Sequence, residues 1–279
     1  MSQTTVAPWV RCKTVFISDV HLGFKDCRAD YLLDFLESVE CETLFLIGDI
    51  IDLWSMKNSF HWPSSHYAVI RAIFRKAQGN TRVVYVPGNH DETVREFVGH
   101  SFGPIEIVEE EIHITEAGKK LLIFHGDLLD AHIRFGKLKT LLGDLAYDFL
   151  LFANRWTNWI RQRCGFNYWS LASFVKTRIH KARAAINQFE LAAIEEARRR
   201  GLDGVVCGHI HHADIRNENG ILYCNDGDWV ESCTALLEDE RGHLEIVHWS
   251  EQQRPIKTID ASNDELPDVP SLVLKALVR

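Results

Sequence analysis

Five short segments of this sequence carry the kinds of side chain that bind divalent metal ions in proteins. They are Ser18-Asp19-Val20-His21, Gly48-Asp49, Pro87-Gly88-Asn89-His90-Asp91, His125-Gly126-Asp127 and Gly208-His209-Ile210-His211. Carboxylate and amide oxygens, combined with neutral imidazole nitrogens, suit manganese, iron, zinc and similar ions. Cysteine is absent from all five segments, which argues against a structural zinc site. The residue types therefore favour a site for divalent metal ions.

Each of these segments, taken alone, has an ordinary structural explanation. Asp19 could cap a turn, Gly48-Asp49 is a common turn dipeptide, and a single histidine such as His125 is more often a hydrogen-bonded structural residue. The two histidines of the last segment, His209 and His211, are a stronger signal because they are two residues apart. The five segments together, each directly after an apolar run, are hard to obtain by chance.

The apolar runs before these segments are predicted to be strands of an α/β domain. They occupy residues 14–17, 43–47, 82–86, 121–124 and 205–207. Helical patterns at residues 30–39 and 67–77 alternate with the first three strands, as in α/β proteins. Open α/β sheets bind ligands at the carboxyl ends of their strands, so the five polar segments should meet at one edge.

The spacing of the ligand residues suggests how they are presented. In an extended chain, alternation would aim Asp19 and His21 the same way, with Val20 packing behind them. His209 and His211 repeat the same spacing. One carboxylate, that of Asp49, could bridge two metal ions about 3.5–4 Å apart.

The rest of the chain predicts a core with one large insertion. Strand patterns occur at 105–115, 120–124, 204–207, 221–224, 234–237 and 244–249, and a long helical stretch runs from about residue 133 to 200. We therefore expect a core of residues 1–130 and 200–255, a helical insertion at 131–199 and a loosely packed tail at 256–279.

The ordered set of segments resembles that of the calcineurin-like metallophosphoesterase superfamily, over residues 14–228. The resemblance implies a four-layer αββα sandwich around a dinuclear metal site. By match to the motifs, the first ion would be bound by Asp19, His21, Asp49 and His211. The second ion would be bound by Asp49, Asn89, His125 and His209. His90 falls at the position of the family's catalytic histidine, and Asp91 at that of the carboxylate that orients it.

The insertion is both apolar and basic. Between residues 131 and 184 there are ten lysines and arginines against two aspartates, a local charge of +8 in a chain of net charge −8. From periodicity alone, a helix packed on the sheet and a cap over the metal site are equally favoured. A cap of this composition would suit an amphiphilic phosphate such as a lipid. Candidate contacts to such a substrate are Asp130, Lys176, Arg178 and Lys181.

A closer resemblance is to the UDP-2,3-diacylglucosamine pyrophosphohydrolase group. It rests on residues 48–54, 125–127 and 225–232, which read GDIIDLW, HGD and NDGDWVES. The resemblance implies hydrolysis of UDP-2,3-diacylglucosamine to UMP and 2,3-diacylglucosamine 1-phosphate, with two manganese ions and a helical lid for the acyl chains. Iron, zinc and magnesium are the alternative metals.

His90 is a departure from that group, whose best-defined members have arginine there. An arginine would hold phosphate as a fixed cation, whereas His90 restores the general superfamily pattern. This leaves open a phosphodiesterase or phosphatase acting on a soluble substrate. A nuclease and a non-catalytic scaffold are further alternatives, although no ligand position is missing.

Composition limits the setting in which the protein acts. From the sequence we predict neither a secretory signal nor a membrane span. Its seven cysteines are odd in number and form no C-x-x-C pair, which favours a reducing cytoplasm. We expect a phosphorylated amphiphilic small molecule as the partner, with peripheral association at the inner membrane and no nucleic acid.

Overall fold

The computed structural model describes residues 10–132, 163 and 180–251, and they form two β-sheets flanked by helices. The strands up to the insertion are β1 (Val10–Ile17), β2 (Val39–Ile47), β3 (Arg82–Val86), β4 (Ser101–Phe102), β5 (Ile105–Ile107), β6 (Glu111–Ile114) and β7 (Lys120–Ile123). The later strands are β8 (Gly204–Cys207), β9 (Asp214–Glu218), β10 (Ile221–Asn225), β11 (Thr234–Glu238) and β12 (Leu244–His248).

Five α-helices are described. They are α1 (Ala29–Ser38), α2 (Leu53–Asn58), α3 (Ser64–Gln78), α4 (Asp127–His132) and α5 (His180–Arg199). Short 3-10 helices occur at Glu92–Phe97 and Trp249–Glu251. No helix within the described residues is long and apolar enough to cross a membrane.

Parallel strands form the centre of both sheets. The first sheet has the order β12-β11-β1-β2-β3-β5-β4, with β1, β2, β3 and β5 mutually parallel. The second sheet has the order β6-β7-β8-β10-β9, with β7, β8 and β10 parallel. Neighbouring parallel strands end at the same edge of a sheet. The loops that follow β1, β2 and β3 therefore lie side by side, and so do the loops that follow β7 and β8.

Three apolar clusters show that the layers follow the order helix, sheet, sheet, helix. Phe16, Phe45, Val84, Ile123 and Val206 belong to a cluster that joins strands of both sheets. A second cluster packs α1 and α3 on the outer face of the first sheet, and a third packs α5 on the second sheet. The predicted four-layer αββα sandwich is confirmed.

The structure differs from the sequence prediction at residues 105–115. There the chain crosses between sheets, because β5 pairs with β3 of the first sheet whereas β6 pairs with β7 of the second. Apolar periodicity predicts a strand but not the sheet that it joins, and the crossing is therefore invisible in the sequence. Strand β9 and helices α2 and α4 were also missed. Most of the predicted insertion at 131–199 and all of the tail at 256–279 lie outside the described residues.

Candidate metal centre

The carboxyl ends of the parallel strands bring six of the predicted ligands together. Carboxylate oxygens and imidazole nitrogens form three overlapping groups, within each of which all the atoms lie within 4.8 Å of one another. The groups are Asp19, His21 and His211; His21, Asp49 and His90; and Asp49, His125 and His209. Asp49 and His21 each belong to two of the groups, and Asp49 is shared between the group of His21 and the group of His125.

Individual distances show how closely these atoms approach. His211 Nε2 lies 3.0 Å from Asp19 Oδ1 and 3.4 Å from His21 Nε2. Asp49 Oδ2 lies 3.4 Å from His125 Nε2 and 4.0 Å from His21 Nε2. Four of these side chains are buried, namely Asp19, His21, Asp49 and His125. Water therefore screens the interactions between their charges only weakly.

The backbone of the ligand segments is left-handed rather than extended, which corrects the sequence prediction. Asp19 and His21 have φ values of 50° and 56°, and Asp49, His209 and His211 have 54°, 70° and 51°. Such values are uncommon outside glycine, although Asp and His adopt them more readily than β-branched residues. Strain of this kind clusters at functional sites.

Hydrogen bonds to a neighbouring loop hold the first segment in this conformation. The Asp19 amide donates to Gly48 O at 3.1 Å, and the His21 amide donates to Asp49 O at 2.8 Å. Val20, between the two ligands, is completely buried, as the sequence predicted. The two segments are therefore fixed to each other through their main chains.

Two glycines allow the ligands to approach this closely. A Cβ atom added at Gly48 would lie 2.3 Å from His125 Nδ1, and one at Gly88 would lie 2.3 Å from Asp49 Oδ1. Real Cβ atoms do not approach other heavy atoms so closely, so any side chain at either position would push a candidate ligand out of place.

Backbone amides and a serine orient the two central carboxylates. The His90 amide donates to Asp49 Oδ1 at 2.7 Å, and the His209 amide donates to Asp19 Oδ2 at 2.8 Å. Ser18 Oγ lies 2.5 Å from Asp19 Oδ2 and 2.6 Å from Asp226 Oδ1. A hydroxyl has one proton to donate, and burial raises the pKa of Asp226 well above its ordinary value. The single proton of the Ser18 hydroxyl is therefore shared between two acceptors, the carboxylates of Asp19 and Asp226.

His90 is oriented by Asp52 and not by Asp91, which corrects the role that the resemblance implied. Asp52 Oδ1 lies 3.0 Å from His90 Nδ1, and Asp52 Oδ2 lies 3.2 Å from His21 Nδ1. One buried carboxylate thus contacts a candidate metal ligand and the candidate catalytic histidine. The exposed ring of Trp54 packs against His90 on another side, with 4.6 Å between ring centroids.

Asp91 joins two of the ligand loops. Its carboxylate accepts hydrogen bonds from the amides of Gly88 and Ile50, at 2.6 and 2.8 Å, and from the Tyr85 hydroxyl. The side chain is completely buried, and burial, reinforced by the nearby charge of Asp49, raises its pKa. A side chain turned into the protein in this way cannot also orient His90, whose ring nitrogen faces Asp52.

The clustered carboxylates change the pKa values of the histidines. Burial opposes protonation, but Asp52 and Asp49 raise the pKa of His21 to about 9. In the same way, Asp49 and Asp19 outweigh burial and raise the pKa of His125 to about 10. Burial also opposes ionisation of Asp49, yet His125 and His21 hold its pKa well below the ordinary range. The site is thus strongly negative and attracts cations, whether protons or metal ions.

The donors present fit divalent metal ions. His125 Nε2 and Asn89 Oδ1 are buried and have no hydrogen-bond partner within the described parts of the chain. Buried polar atoms are normally satisfied, so atoms without a partner beside a cluster of carboxylates are those expected to bind a cation. His125 Nδ1 lies 2.8 Å from Ile47 O, which fixes the ring and leaves Nε2 available to the site.

The predicted substrate contacts fall at or beyond the limits of the described residues. Lys176 and Arg178 lie outside them. Asp130 and Lys181 lie in α4 and α5, but the structure describes only their main chain. Asp127, at the start of α4, accepts two hydrogen bonds of 2.8 Å from Arg95.

Sequence reasoning missed the roles of Asp52, Ser18, Trp54 and Asp226. Asp52 and Trp54 lie within the segment GDIIDLW, and Ser18 directly precedes Asp19. A carboxylate three residues after Asp49 was therefore a usable signal for Asp52. Asp226 had no such signal, because Ser18 follows a strand of the first sheet and Asp226 follows a strand of the second, and only the packing of the two sheets brings them together.

Comparison with known proteins agrees with this geometry. The family model for the calcineurin-like phosphoesterases matches residues 12–213. The chain is 23% identical, over 252 residues, to the UDP-2,3-diacylglucosamine hydrolase of Psychromonas ingrahamii, covering 84% of this chain and 96% of that protein. It is 26% identical, over 238 residues, to the enzyme of that name from Neisseria meningitidis serogroup B, covering 80% and 92%. Among solved structures, hypothetical protein PH1004 from Pyrococcus horikoshii matches at 8% identity and a TM-score of 0.45, covering 85% and 87%.

Proposed function

The chain belongs to the calcineurin-like phosphoesterase family, and we propose that it hydrolyses UDP-2,3-diacylglucosamine to UMP and 2,3-diacylglucosamine 1-phosphate. Membership of the family makes it a metal-dependent phosphoester hydrolase. The observation that carries the proposal is the meeting of Asp19, Asp49 and five histidines at one edge of the sandwich. The substrate is suggested by the relatives named UDP-2,3-diacylglucosamine hydrolase, which the chain matches over almost their whole length.

Two divalent ions would be bound around Asp49. In this proposal Asp19, His21 and His211 complete the first site, and Asn89, His125 and His209 complete the second. Manganese is our first choice, because oxygen and imidazole donors suit it, and iron, zinc and magnesium are alternatives. Bound at this site, such ions supply a nucleophile by lowering the pKa of water and neutralise charge on the phosphoryl group.

The chain's own catalytic group in this proposal is His90. Its side chain is partly exposed, with 27% of its surface accessible, and it lies beside the ligands of both sites. Asp52 accepts from Nδ1 and so leaves Nε2 to face the substrate. His90 is thus placed to donate a proton to the leaving oxygen. Substitution His90→Asn should leave metal binding intact and slow the release of poor leaving groups most.

A second candidate substrate class is supported by the same residue. An arginine at position 90 would hold a phosphate group of the lipid substrate as a fixed cation, and His90 does not offer that contact. A soluble phosphodiester or phosphomonoester would need only the metal centre and an acid for the leaving group. The basic, apolar composition of residues 131–184 favours the lipid, because a soluble substrate would not need an apolar surface for acyl chains.

The test is release of UMP from UDP-2,3-diacylglucosamine by the manganese-loaded protein. We expect release by the wild type and none by Asp49→Ala, which lacks the carboxylate shared by both proposed sites. If the wild type cleaves a generic aryl phosphodiester but releases no UMP, the lipid assignment is wrong and the soluble substrate class takes its place. If Asp49→Ala turns over like the wild type in a metal-checked sample, the metal assignment itself is wrong.

A further inference from the structure

Helix α5, which is the last part of the predicted insertion, touches two of the ligand loops through a single aromatic ring. Phe189 is 1% exposed, and its ring centroid lies 5.8 Å from that of His209. A Cβ atom added at Gly126, directly after His125, would lie 2.6 Å from Phe189 Cζ. The loops carrying His125 and His209 are themselves joined, since the Gly208 amide donates to His125 O at 3.2 Å.

This packing leaves the His209 ring little freedom. On one side it meets His125, with ring centroids 5.2 Å apart, and on another it meets Phe189. A ring enclosed by two others changes its rotamer only if a neighbour moves, because close-packed interiors have few voids. Phe189 therefore restricts the direction in which His209 can offer a ring nitrogen.

The next residue of α5, Glu190, contacts the segment that follows His211, the last of the candidate ligands. Glu190 is also 1% exposed, and its carboxylate lies 2.7 Å from Arg216 Nη1 and 3.7 Å from His212 Nδ1. His212 directly follows His211, and Arg216 lies in β9 with its guanidinium over the Tyr223 ring. A buried carboxylate is costly without a partner, so these contacts tie the segment 211–216 to α5.

We propose that Phe189 and Glu190 are positioning residues for the histidine pair His209 and His211. Phe189 fixes the ring of His209 from behind, and Glu190 fixes the main chain just beyond His211 through His212 and Arg216. The inference rests on the proposed role of these histidines as metal ligands. Groups that hold metal ligands in this way typically change metal affinity about 10–100-fold when they are replaced.

Titration of the metal-free protein with manganese tests the inference. The variants are Phe189→Leu, which stays apolar but removes the ring, and Glu190→Gln, which keeps the shape of the side chain without its charge. Matched controls lie on the same helix, where Leu191 is 56% exposed and the side chain of Glu195 is 67% exposed. We expect Leu191→Ala and Glu195→Gln to bind two ions like the wild type. We expect Phe189→Leu and Glu190→Gln each to bind one ion about 10-fold more weakly.

Two results would overturn the inference. One is wild-type affinity for both ions in both variants. The other is equal weakening of both ions, in proportion to a fall in Tm, which would show that the two residues only stabilise the fold.

A readout without metal separates this inference from the proposed function. In the metal-free protein, Phe189→Leu should shift the imidazole NMR signals of His209, and Leu191→Ala should not. If the wild type binds no manganese, the proposed metal centre is wrong, and with it the positioning role of Phe189. If the wild type binds two ions but the His209 signals are the same in Phe189→Leu, only the positioning role is wrong.

Discussion

At the scale of single residues, Asp52 is the side chain on which two histidines of the centre depend. Its two carboxylate oxygens lie 3.2 Å from His21 Nδ1 and 3.0 Å from His90 Nδ1. The same carboxylate caps α2, because the Ser55 amide donates to Oδ1 at 2.7 Å. The two roles of Asp52 require different properties. A helix cap needs only a side-chain oxygen that accepts a hydrogen bond, whereas the contacts with the two histidines also involve the negative charge.

Substitution Asp52→Asn should therefore separate catalysis from stability. Asparagine caps helices about as well as aspartate, so the thermal midpoint of the manganese-loaded protein, in which His21 must be neutral, should change little. Loss of the charge beside His21 and His90 should lower kcat by about 10–100-fold. The measurement is kcat with an aryl phosphodiester under saturating manganese. The control is Asp34→Asn, which makes the same change at a carboxylate that accepts a hydrogen bond from Trp249 Nε1. Wild-type kcat in Asp52→Asn would contradict the role of Asp52.

A second prediction concerns the close approach at Gly88. In Gly88→Ala the new Cβ would lie 2.6 Å from the Asp49 amide nitrogen and 2.8 Å from His125 Nε2. Overpacking of this kind costs about 1–3 kcal/mol, and at this position it displaces the carboxylate shared by both proposed ion sites. Manganese titration should show weakened binding of both ions.

The control for that variant is Gly79→Ala, where the added Cβ comes no closer than 3.3 Å to its neighbours. It should bind manganese like the wild type. Unchanged binding in Gly88→Ala would show that the Asp49 loop can move aside, and that the close packing at Gly88 does not position the ligand.

How far the sequence predicts the site depends on whether a residue's partners are close in the chain. Aspartate, asparagine and histidine after an apolar run identify the candidate ligands without any structure. The partner of His90 was predicted to be the adjacent Asp91, but Tyr85, Gly88 and Ile50 occupy that carboxylate. The pairing of Ser18 with Asp226 joins residues 208 positions apart, and no local pattern encodes it.

At the scale of elements, Arg95 connects the loop of His90 to the helix that leads into the predicted insertion. It donates two bonds of 2.8 Å to Asp127 at the start of α4 and lies 3.3 Å from Pro87 O. Both side chains are largely buried, with 23% and 11% of their surfaces exposed. Both contacts come from one nitrogen, Arg95 Nη2, and hydrogen bonds between ionised groups are stronger than neutral ones. Because the pair is also largely buried, it should matter more than a surface pair.

A double-mutant cycle with Arg95→Met and Asp127→Asn should show this difference. We expect a coupling free energy of about 1–2 kcal/mol, between the values for buried and exposed pairs. The same cycle on the exposed pair of Arg198 and Glu195, with Arg198→Met and Glu195→Gln, should give about 0.5 kcal/mol or less. The measurement is the free energy of unfolding in urea, and equal coupling in the two cycles would contradict the connecting role of Arg95.

The strands that the sequence predicted best are those that are buried along nearly their whole length. The buried runs of β3 and β8 were predicted with the bounds that they have, because every residue after the first faces apolar neighbours. The left-handed backbone at Asp19, His21, His209 and His211 was not predictable from alternation. It depends on bonds to the loop after β2 and to other loops, which only the assembled sandwich supplies.

At the scale of the whole molecule, the sandwich gathers many negative charges at one edge, and this makes metal binding depend on pH. The metal-free protein holds His21 and His125 with pKa values of about 9 and 10, above the ordinary 6.5. Both rings therefore carry a proton at pH 7. In that form they stabilise the metal-free fold below pH 6.5, and the stabilisation is lost as pH rises through 9 to 10.

Metal binding at pH 7 should accordingly release protons. An imidazole must be neutral to bind an ion, so manganese affinity should rise between pH 7 and pH 9. Calorimetric titration in two buffers of different ionisation enthalpy counts the protons released. Binding without proton release at pH 7 would contradict the charged state assigned to the two histidines.

The most direct test of the central claim, a two-metal centre built around Asp49, is anomalous diffraction from crystals of the manganese-loaded protein. The account predicts two peaks about 3.5–4 Å apart, with the Asp49 carboxylate between them. The first peak should lie beside Asp19, His21 and His211, and the second beside Asn89, His125 and His209. A single peak, or two peaks that do not share Asp49, would contradict it.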